Sequence, residues 1–357
     1  MNDRKINASK LTSLVIAVLV LAVVLASCAF VGCKQEESEY RFHYWNDCSS
    51  LSALKQYVAS VTDNNADTFI PVEDRIAVFD MDGTLYGELF PTYLEYLLLE
   101  YRGLDDPNYE APEEVKRVAQ LIRDSKHDWS YPSDMAMQHA LAQAKAFEGM
   151  SVKDFEAYVA DFLKKTPEGF AGMTYGSAFY QPMLEVIDYL QQNGFKTYIV
   201  SGSDRFICRA LASEPCHIPN EQIIGMDVKL RATDQGDADS LDYQFARGDE
   251  VLRTDTLLVK NLKTNKVLQI VQEIDKQPVL SFGNSSGDVS MHRYTVTRNR
   301  YKAAVFMLIA NDEARDYGNT VKAEKLGEQW KAEGFHVISM RDDWTTIYGA
   351  NVRKTNS

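Results

Sequence analysis

The sequence predicts an α/β fold, a doubly wound, mainly parallel sheet with an α-helical module inserted after its first strand. Three observations carry that prediction. Short apolar, β-branched runs begin with "RIAVFD", and from residue 180 onward three more ("KTYIVS", "PVLSFG", "KAAVFMLIA") alternate with helix-period segments. Roughly the first hundred residues after "RIAVFD" hold no other run of that quality and read as helices. The first three runs each end in a small polar cluster, as strands do where an open sheet presents its ligand-binding edge.

At 357 residues, with 45% hydrophobic and 25% charged residues, the chain has the composition of a globular protein of one large or two ordinary domains. Its formal net charge of −13 lacks the basic footprint of nucleic-acid binding, so no nucleic-acid partner is expected. A small anionic substrate held by local cations or a metal ion remains compatible with that charge.

Residues 1–33 read as an address. Arg4, Lys5 and Lys10 precede the apolar "LTSLVIAVLVLAVVLASCAFVGC". Within it, "LASC" (Leu25–Cys28) resembles a bacterial lipobox with Cys28 as the lipidation site, and "FVGC" ending at Cys33 is a second candidate. Leu11–Gly32 is also long enough for an uncleaved membrane anchor, and simple secretion is a third reading. The expectation is an exported protein, anchored in the cell envelope on its periplasmic or extracellular face. Export permits disulfides, and Cys208 with Cys216 admits either a bridge or two buried thiols.

Residues 34–70 read as a polar tether and docking segment, with a short helix at "SSLSALKQYVAS". The core is expected over 71–87 and 181–357, and a helical cap over 88–180. In the cap, "PTYLEYLLLEYR", "APEEVKRVAQLIRD", "SDMAMQHALAQAKAFE" and "SVKDFEAYVADFLKK" have helical period. The last opens with S-x-x-D, a capping-box variant. "PMLEVIDYLQQNGF" has Pro182 near its start and Gly194 after its end, the usual helix asymmetry. The strand "KTYIVSGS", a helix and "QIIGMDVKL" follow. The acidic stretch 231–250 suggests a hairpin flap or surface excursion. "KVLQIVQEI" is then a helix, "PVLSFGNSSGD" a strand running into a loop, and "KAAVFMLIA" and "HVISM" are strands. The tail around Trp344 and Tyr348 carries no motif and reads as packing.

The chemistry gathers at the strand ends. In "VFDMDGT", Asp80 and Asp82 place two carboxylates together. Like charges about 4 Å apart cost roughly 4 kcal/mol at an effective dielectric near 20, unless a cation joins them. "VSGS" contributes Ser201 and Gly202, "NKVLQI" Lys266, and "GNSSGD" Asn284 and Asp288.

In this order, with one helical insert, the segments resemble the four motifs of the haloacid dehalogenase superfamily, over roughly residues 80–348. The resemblance implies a Rossmann-like core and a Mg²⁺-dependent phosphomonoesterase acting on a small phosphorylated metabolite. It makes Asp80 the nucleophile that becomes an aspartyl-phosphate, and Asp82 the general acid and base. Ser201 hydroxyl and Gly202 amide would bind phosphate, with Gly83 and Thr84 in the adjoining loop; Thr84 reads equally as a turn-stabilising hydroxyl. Lys266 would neutralise phosphate and nucleophile, with Lys260 and Lys263 as rivals. Mg²⁺ would lie between Asp80, the Asp82 carbonyl and phosphate, with Asn284 and Asp288 as further ligands. The family usually has an acid where Asn284 stands, so this chain brings one charge fewer to the metal.

An acid two residues after the nucleophile suits a phosphomonoesterase; a halide leaves without a proton. A phosphomutase of the same fold and a non-catalytic phospholigand-binding lipoprotein are the alternative readings. The insert position resembles phosphoserine-phosphatase-like members and, more closely, exported phosphocholine-phosphatase-like ones. Glu88 with Tyr86, Tyr93, Trp129 and Tyr131 would then form a pocket for a cationic headgroup. The alternative is that these aromatics are the cap's own core.

Overall fold

β1 (Ile76–Phe79) is buried at all four positions because it is central and covered on both faces, which is what its unbroken apolar run requires. The computed structural model describes residues 40–88 and 91–355. The expected signal segment, Cys28 and Cys33 lie outside the described residues. Among those described, no helix is long and apolar enough to cross a membrane.

A seven-stranded sheet runs in the order β5-β4-β3-β1-β6-β7-β8. On one side of β1 lie β3 (Lys196–Asp204), β4 (Ile223–Ala232) and β5 (Val251–Val259). On the other lie β6 (Leu280–Gly283), β7 (Ala304–Ile309) and β8 (His336–Ser339). Every pairing is parallel except β4 with β5, so the sheet is doubly wound and mainly parallel. A short antiparallel pair, β2 (Phe170–Ala171) and β9 (Arg353–Lys354), lies apart from it.

Helix α1 (Ser49–Thr62) precedes β1. Between β1 and β3 come α2 (Leu94–Glu100), α3 (Glu113–Ser125), α4 (Met135–Ala146), α5 (Val152–Phe162) and α6 (Gln181–Gln192). Ser151 caps α5 by accepting the Asp154 N–H at 3.0 Å, as its S-x-x-D start implies. After β3 come α7 (Arg205–Ala212), α8 (Thr264–Glu273), α9 (Val289–Val296) and α10 (Thr320–Ala332). Ile76, Val78, Tyr198, Val200 and Ile224 pack on Ile270 of α8 and Met291 of α9. Val305, Met307 and Ile309 pack on Ala323 and Trp330 of α10.

The sheet register positions the site. Phe79 pairs with Ile199 and with Phe282, so the next residues of β1, β3 and β6 emerge side by side at one edge. The rings of Phe79 and Phe282 stack with centroids 4.4 Å apart beneath that edge. The β3–β4 register shifts between Val200 and Asp204, so Ser201, Gly202 and Ser203 leave the regular ladder with β4. β1 and β6 face each other where chain direction of winding reverses, the place where open α/β sheets bind ligands.

Three features depart from the sequence reading. The 231–250 excursion is the connection of a β4–β5 hairpin, and β5 went unread because it turns a charged residue, Arg253, into the interior. Helices α9 and α10 lie where no helix was expected. Cys208 and Cys216 are buried free thiols, so the bridge reading does not hold.

Candidate active site

Asp80 follows the last residue of β1, and its N–H makes a ladder bond to the Phe282 carbonyl at 3.0 Å. The chain then turns through Gly83, whose φ of +74° suits glycine. A Cβ there would lie 1.9 Å from Asn284 Nδ2 and 2.8 Å from Glu88 Cδ, so Gly83 also lets those two side chains close over the loop. The amides of Thr84, Leu85 and Tyr86 all donate to the Met81 carbonyl rather than to that of Asp82.

Lys266, in the first turn of α8, is fully buried and donates to Asp80 Oδ1 at 2.5 Å and Asp288 Oδ1 at 2.7 Å. Burial works against the ammonium, but the two carboxylates more than offset it and hold its pKa above the ordinary lysine value. Asp288 also takes the Asn284 and Ser285 amides and the Ser285 hydroxyl on Oδ2, at 3.2, 3.0 and 3.0 Å. Although burial opposes its charge, Lys266 keeps Asp288 below the ordinary carboxylate range. Burial, reinforced by Asp288, pushes Asp80 up to about 7 despite Lys266.

Asp82 accepts the Ser203 hydroxyl on Oδ2 at 2.7 Å, while its Oδ1 is buried without a hydrogen-bond partner. Burial pushes it up to about 6, partly countered by Ser203. Ser201 is fully buried and its Oγ accepts the Ser203 N–H at 3.0 Å. Gly202 and Ser203 lie on the cavity wall. Thr84 is fully buried.

A cavity of about 170 Å³ lies over these residues, lined by Asp80, Asp82, Glu88, Asn284 and Asp288 from the loops and by Tyr93, Glu95 and Tyr96 from the inserted helices. Glu88 accepts the Asn284 amide at 3.1 Å, and burial beside Asp82 and Asp80 holds its pKa well above the ordinary value. Tyr86 is fully buried, packs edge-on to Phe179 and donates to the Tyr175 carbonyl at 2.6 Å, so it belongs to the core rather than the cavity. Trp129 packs edge-on against Tyr93, and Tyr131 edge-on against Tyr96. Of the aromatics named from the sequence, Tyr93 lines the cavity, while Tyr86, Trp129 and Tyr131 do not.

The oxygen-only donors suit a hard cation such as Mg²⁺. Asn284 Oδ1 is buried and unpartnered. Among the described residues no three His, Cys, Asp or Glu side chains gather at metal-binding distance. Mg²⁺ is commonly bound by one or two carboxylates, with water and substrate making up the rest. Both Asp288 oxygens are engaged, Oδ1 by Lys266 and Oδ2 by Asn284 and Ser285, whereas Asn284 Oδ1 is unpartnered.

The haloacid dehalogenase-like hydrolase profile matches residues 77–293. The chain belongs to that family. No curated protein matches it. Among solved structures, it is similar to a protein of unknown function from Anaerococcus prevotii DSM 20548, at 16% identity, with 86% of this chain and 96% of that one covered and a TM-score of 0.49. It is also similar to cytosolic 5'-nucleotidase IIIB bound to cytidine, at 12% identity, 81% and 84% coverage and a TM-score of 0.45. A phosphoserine phosphohydrolase-like protein from Francisella tularensis subsp. tularensis SCHU S4 matches at 14% identity, 74% and 94% coverage and a TM-score of 0.40.

In this haloacid dehalogenase-like hydrolase the rival lysines have separate positions. Lys260 reaches Glu95 of α2 at 2.9 Å, joining the inserted helices to the core. Lys263 caps α8 with a φ of +56°. Sequence reasoning missed Ser203 and Glu95. The repeated serine in "VSGS" was the signal for the first; the second sits in an apolar helix with nothing local to mark it.

Proposed function

We propose that this hydrolase is a divalent-metal-dependent phosphomonoesterase working through an aspartyl-phosphate. One observation carries the reading: Asp80 is held by a buried lysine on the wall of the cavity that also receives Asp82 with one oxygen unpartnered. A bound Mg²⁺ would neutralise phosphate charge and the crowding of carboxylates. Asp80 carboxylate, Asn284 Oδ1 and the Asp82 carbonyl are the residues that would hold it.

Lys266 and Asp288 fix the Asp80 carboxylate for in-line attack on phosphorus. The Gly202 amide and Ser201 hydroxyl would orient phosphate oxygens. Asp82, in its protonated form, gives its proton to the leaving alcohol oxygen, then takes one from the water that hydrolyses the aspartyl-phosphate. The inserted helices exclude bulk water over the cavity.

The substrate is a small phosphate ester, and the acidic and tyrosine-lined wall of Glu88, Tyr93, Glu95 and Tyr96 suits a cationic, phosphocholine-like headgroup. Tyr96 takes a place in that wall that Tyr86 does not. We place the protein in the cell envelope, held by lipid on Cys28, and mass spectrometry of the membrane-bound N-terminus tests this.

The direct test of function is hydrolysis of p-nitrophenyl phosphate by the full chain in detergent, with and without Mg²⁺, beside Asp80→Asn. Metal-dependent turnover abolished in the variant supports the reading. Absence of turnover by folded, metal-loaded protein overturns it.

A further inference from the structure

We infer that Ser203 is a positioning residue for Asp82, fixing the general acid through one oxygen so that the other carries the proton; this rests on the phosphatase reading above. Ser203 is 4% exposed, lies on the cavity wall and donates its hydroxyl hydrogen to Asp82 Oδ2 at 2.7 Å. Its backbone is held as well: its N–H donates to Ser201 Oγ at 3.0 Å and its carbonyl accepts the Cys208 thiol at 3.7 Å. These contacts tie Ser203, itself in β3, to Ser201 of the same strand and to Cys208 of α7, while Asp82 hangs from the loop after β1. Asp82 Oδ1 has no partner. A carboxyl with one oxygen pinned and the other free presents a single proton-bearing site.

The proton ledger shows why the bond matters. In the first step a bond forms from Asp80 to phosphorus and the bond from phosphorus to the leaving oxygen breaks. The proton on Asp82 Oδ1 passes to that oxygen, and Asp82 becomes a carboxylate. The Ser203 hydrogen bond to Oδ2 then becomes charge-assisted, so it strengthens as the proton departs. In the second step water adds to phosphorus, the Asp80–phosphorus bond breaks, and Asp82 Oδ1 takes the water proton. Ser203 never exchanges its own proton.

The effect must depend on how badly the leaving group needs a proton. An alkyl alkoxide cannot leave without one, whereas p-nitrophenolate can. The test compares kcat/KM on an alkyl phosphate monoester and on p-nitrophenyl phosphate, using the full chain with Mg²⁺. Ser203→Ala is expected to lose about 10-fold on the alkyl ester and less than about 3-fold on the aryl ester. Asp82→Asn should show the same split more steeply, and Ser203→Thr, which keeps the hydroxyl, should restore the alkyl activity. Should Ser203→Ala not fold, Ser203→Cys replaces it, with its weaker donor in similar volume.

Equal losses on both esters overturn this assignment and leave the phosphatase reading standing. So does a folded Ser203→Thr that restores nothing. Wild type that turns over neither ester overturns the phosphatase reading, and this assignment with it.

Discussion

The Lys266 ammonium lies between Asp80 and Asp288, 2.5 Å from one carboxylate and 2.7 Å from the other, with no exposure of its own. Removing it leaves two buried acids facing each other. Lys266→Met is expected to cost about 3–5 kcal/mol of metal-free stability at neutral pH. The loss should shrink toward pH 5, where protonation of Asp288, which Lys266 otherwise keeps ionised, removes the uncompensated charge. Urea unfolding at the two pH values reads both effects, and a loss independent of pH would contradict the account.

Asn284 is expected to limit metal affinity, because an amide ligand brings no charge. Asn284→Asp should tighten Mg²⁺ binding by about 10-fold in calorimetry. The same variant should lower the melting temperature of the metal-free protein, since it sets a carboxylate in the 3.1 Å contact now made by the Asn284 amide to Glu88. Both shifts are needed; tighter binding without the metal-free penalty would argue that Glu88 is not the neighbour that matters.

Gly83 admits no side chain without movement. Gly83→Ala puts a methyl 1.9 Å from Asn284 Nδ2 on a backbone with φ of +74°. The expected cost is about 1–3 kcal/mol, accompanied by weaker Mg²⁺ binding as Asn284 is displaced. A thermal-shift titration measures both, and unchanged Mg²⁺ binding would show that the methyl is absorbed elsewhere.

Asp316, which does not line the cavity, is 1% exposed and accepts the Tyr317 N–H and the Tyr348 hydroxyl, both at 2.8 Å. Burial pushes its carboxyl up to about 6. Between about pH 4 and 6 the folded state therefore binds more protons than the unfolded, so this group's contribution falls as pH rises. Asp316→Asn should remove that decline. Relative to wild type, the variant should gain up to about 3 kcal/mol between pH 4 and pH 8. A stability difference that is flat across that range would mean Asp316 ionises in the fold as readily as in the unfolded chain.

The sheet and the site residues on its edge were legible because both follow from local pattern. A buried parallel strand must be apolar throughout, and the catalytic loops must start where it ends, so "IAVFD" and "LSFGN" carried position as well as composition. β5 was not legible, because its inward Arg253 breaks the alternation that marks a strand. α9 is short and rich in Val, Thr, His and Tyr, which have only middling helix propensity, and is anchored by sheet packing rather than sequence. α10 did carry signals: Asn319 caps it and Ala323, Gly327 and Trp330 are buried at helical spacing. Glu95 and Lys260 meet across a sequence separation of 165 residues, which no local pattern encodes.

Arg253 bears on how this enzyme can be re-engineered. Its guanidinium pairs with Asp204 at 2.6 Å, lies 3.9 Å from the Phe155 ring centroid, and its backbone exchanges hydrogen bonds with Gly149 and Met150. The turn between α4 and α5 is thus stitched to an edge strand encoded a hundred residues downstream. A chimera made by transplanting only the segment between β1 and β3 would sever that seam. Swapping caps between relatives to change specificity will need the 251–259 strand carried along as part of the graft.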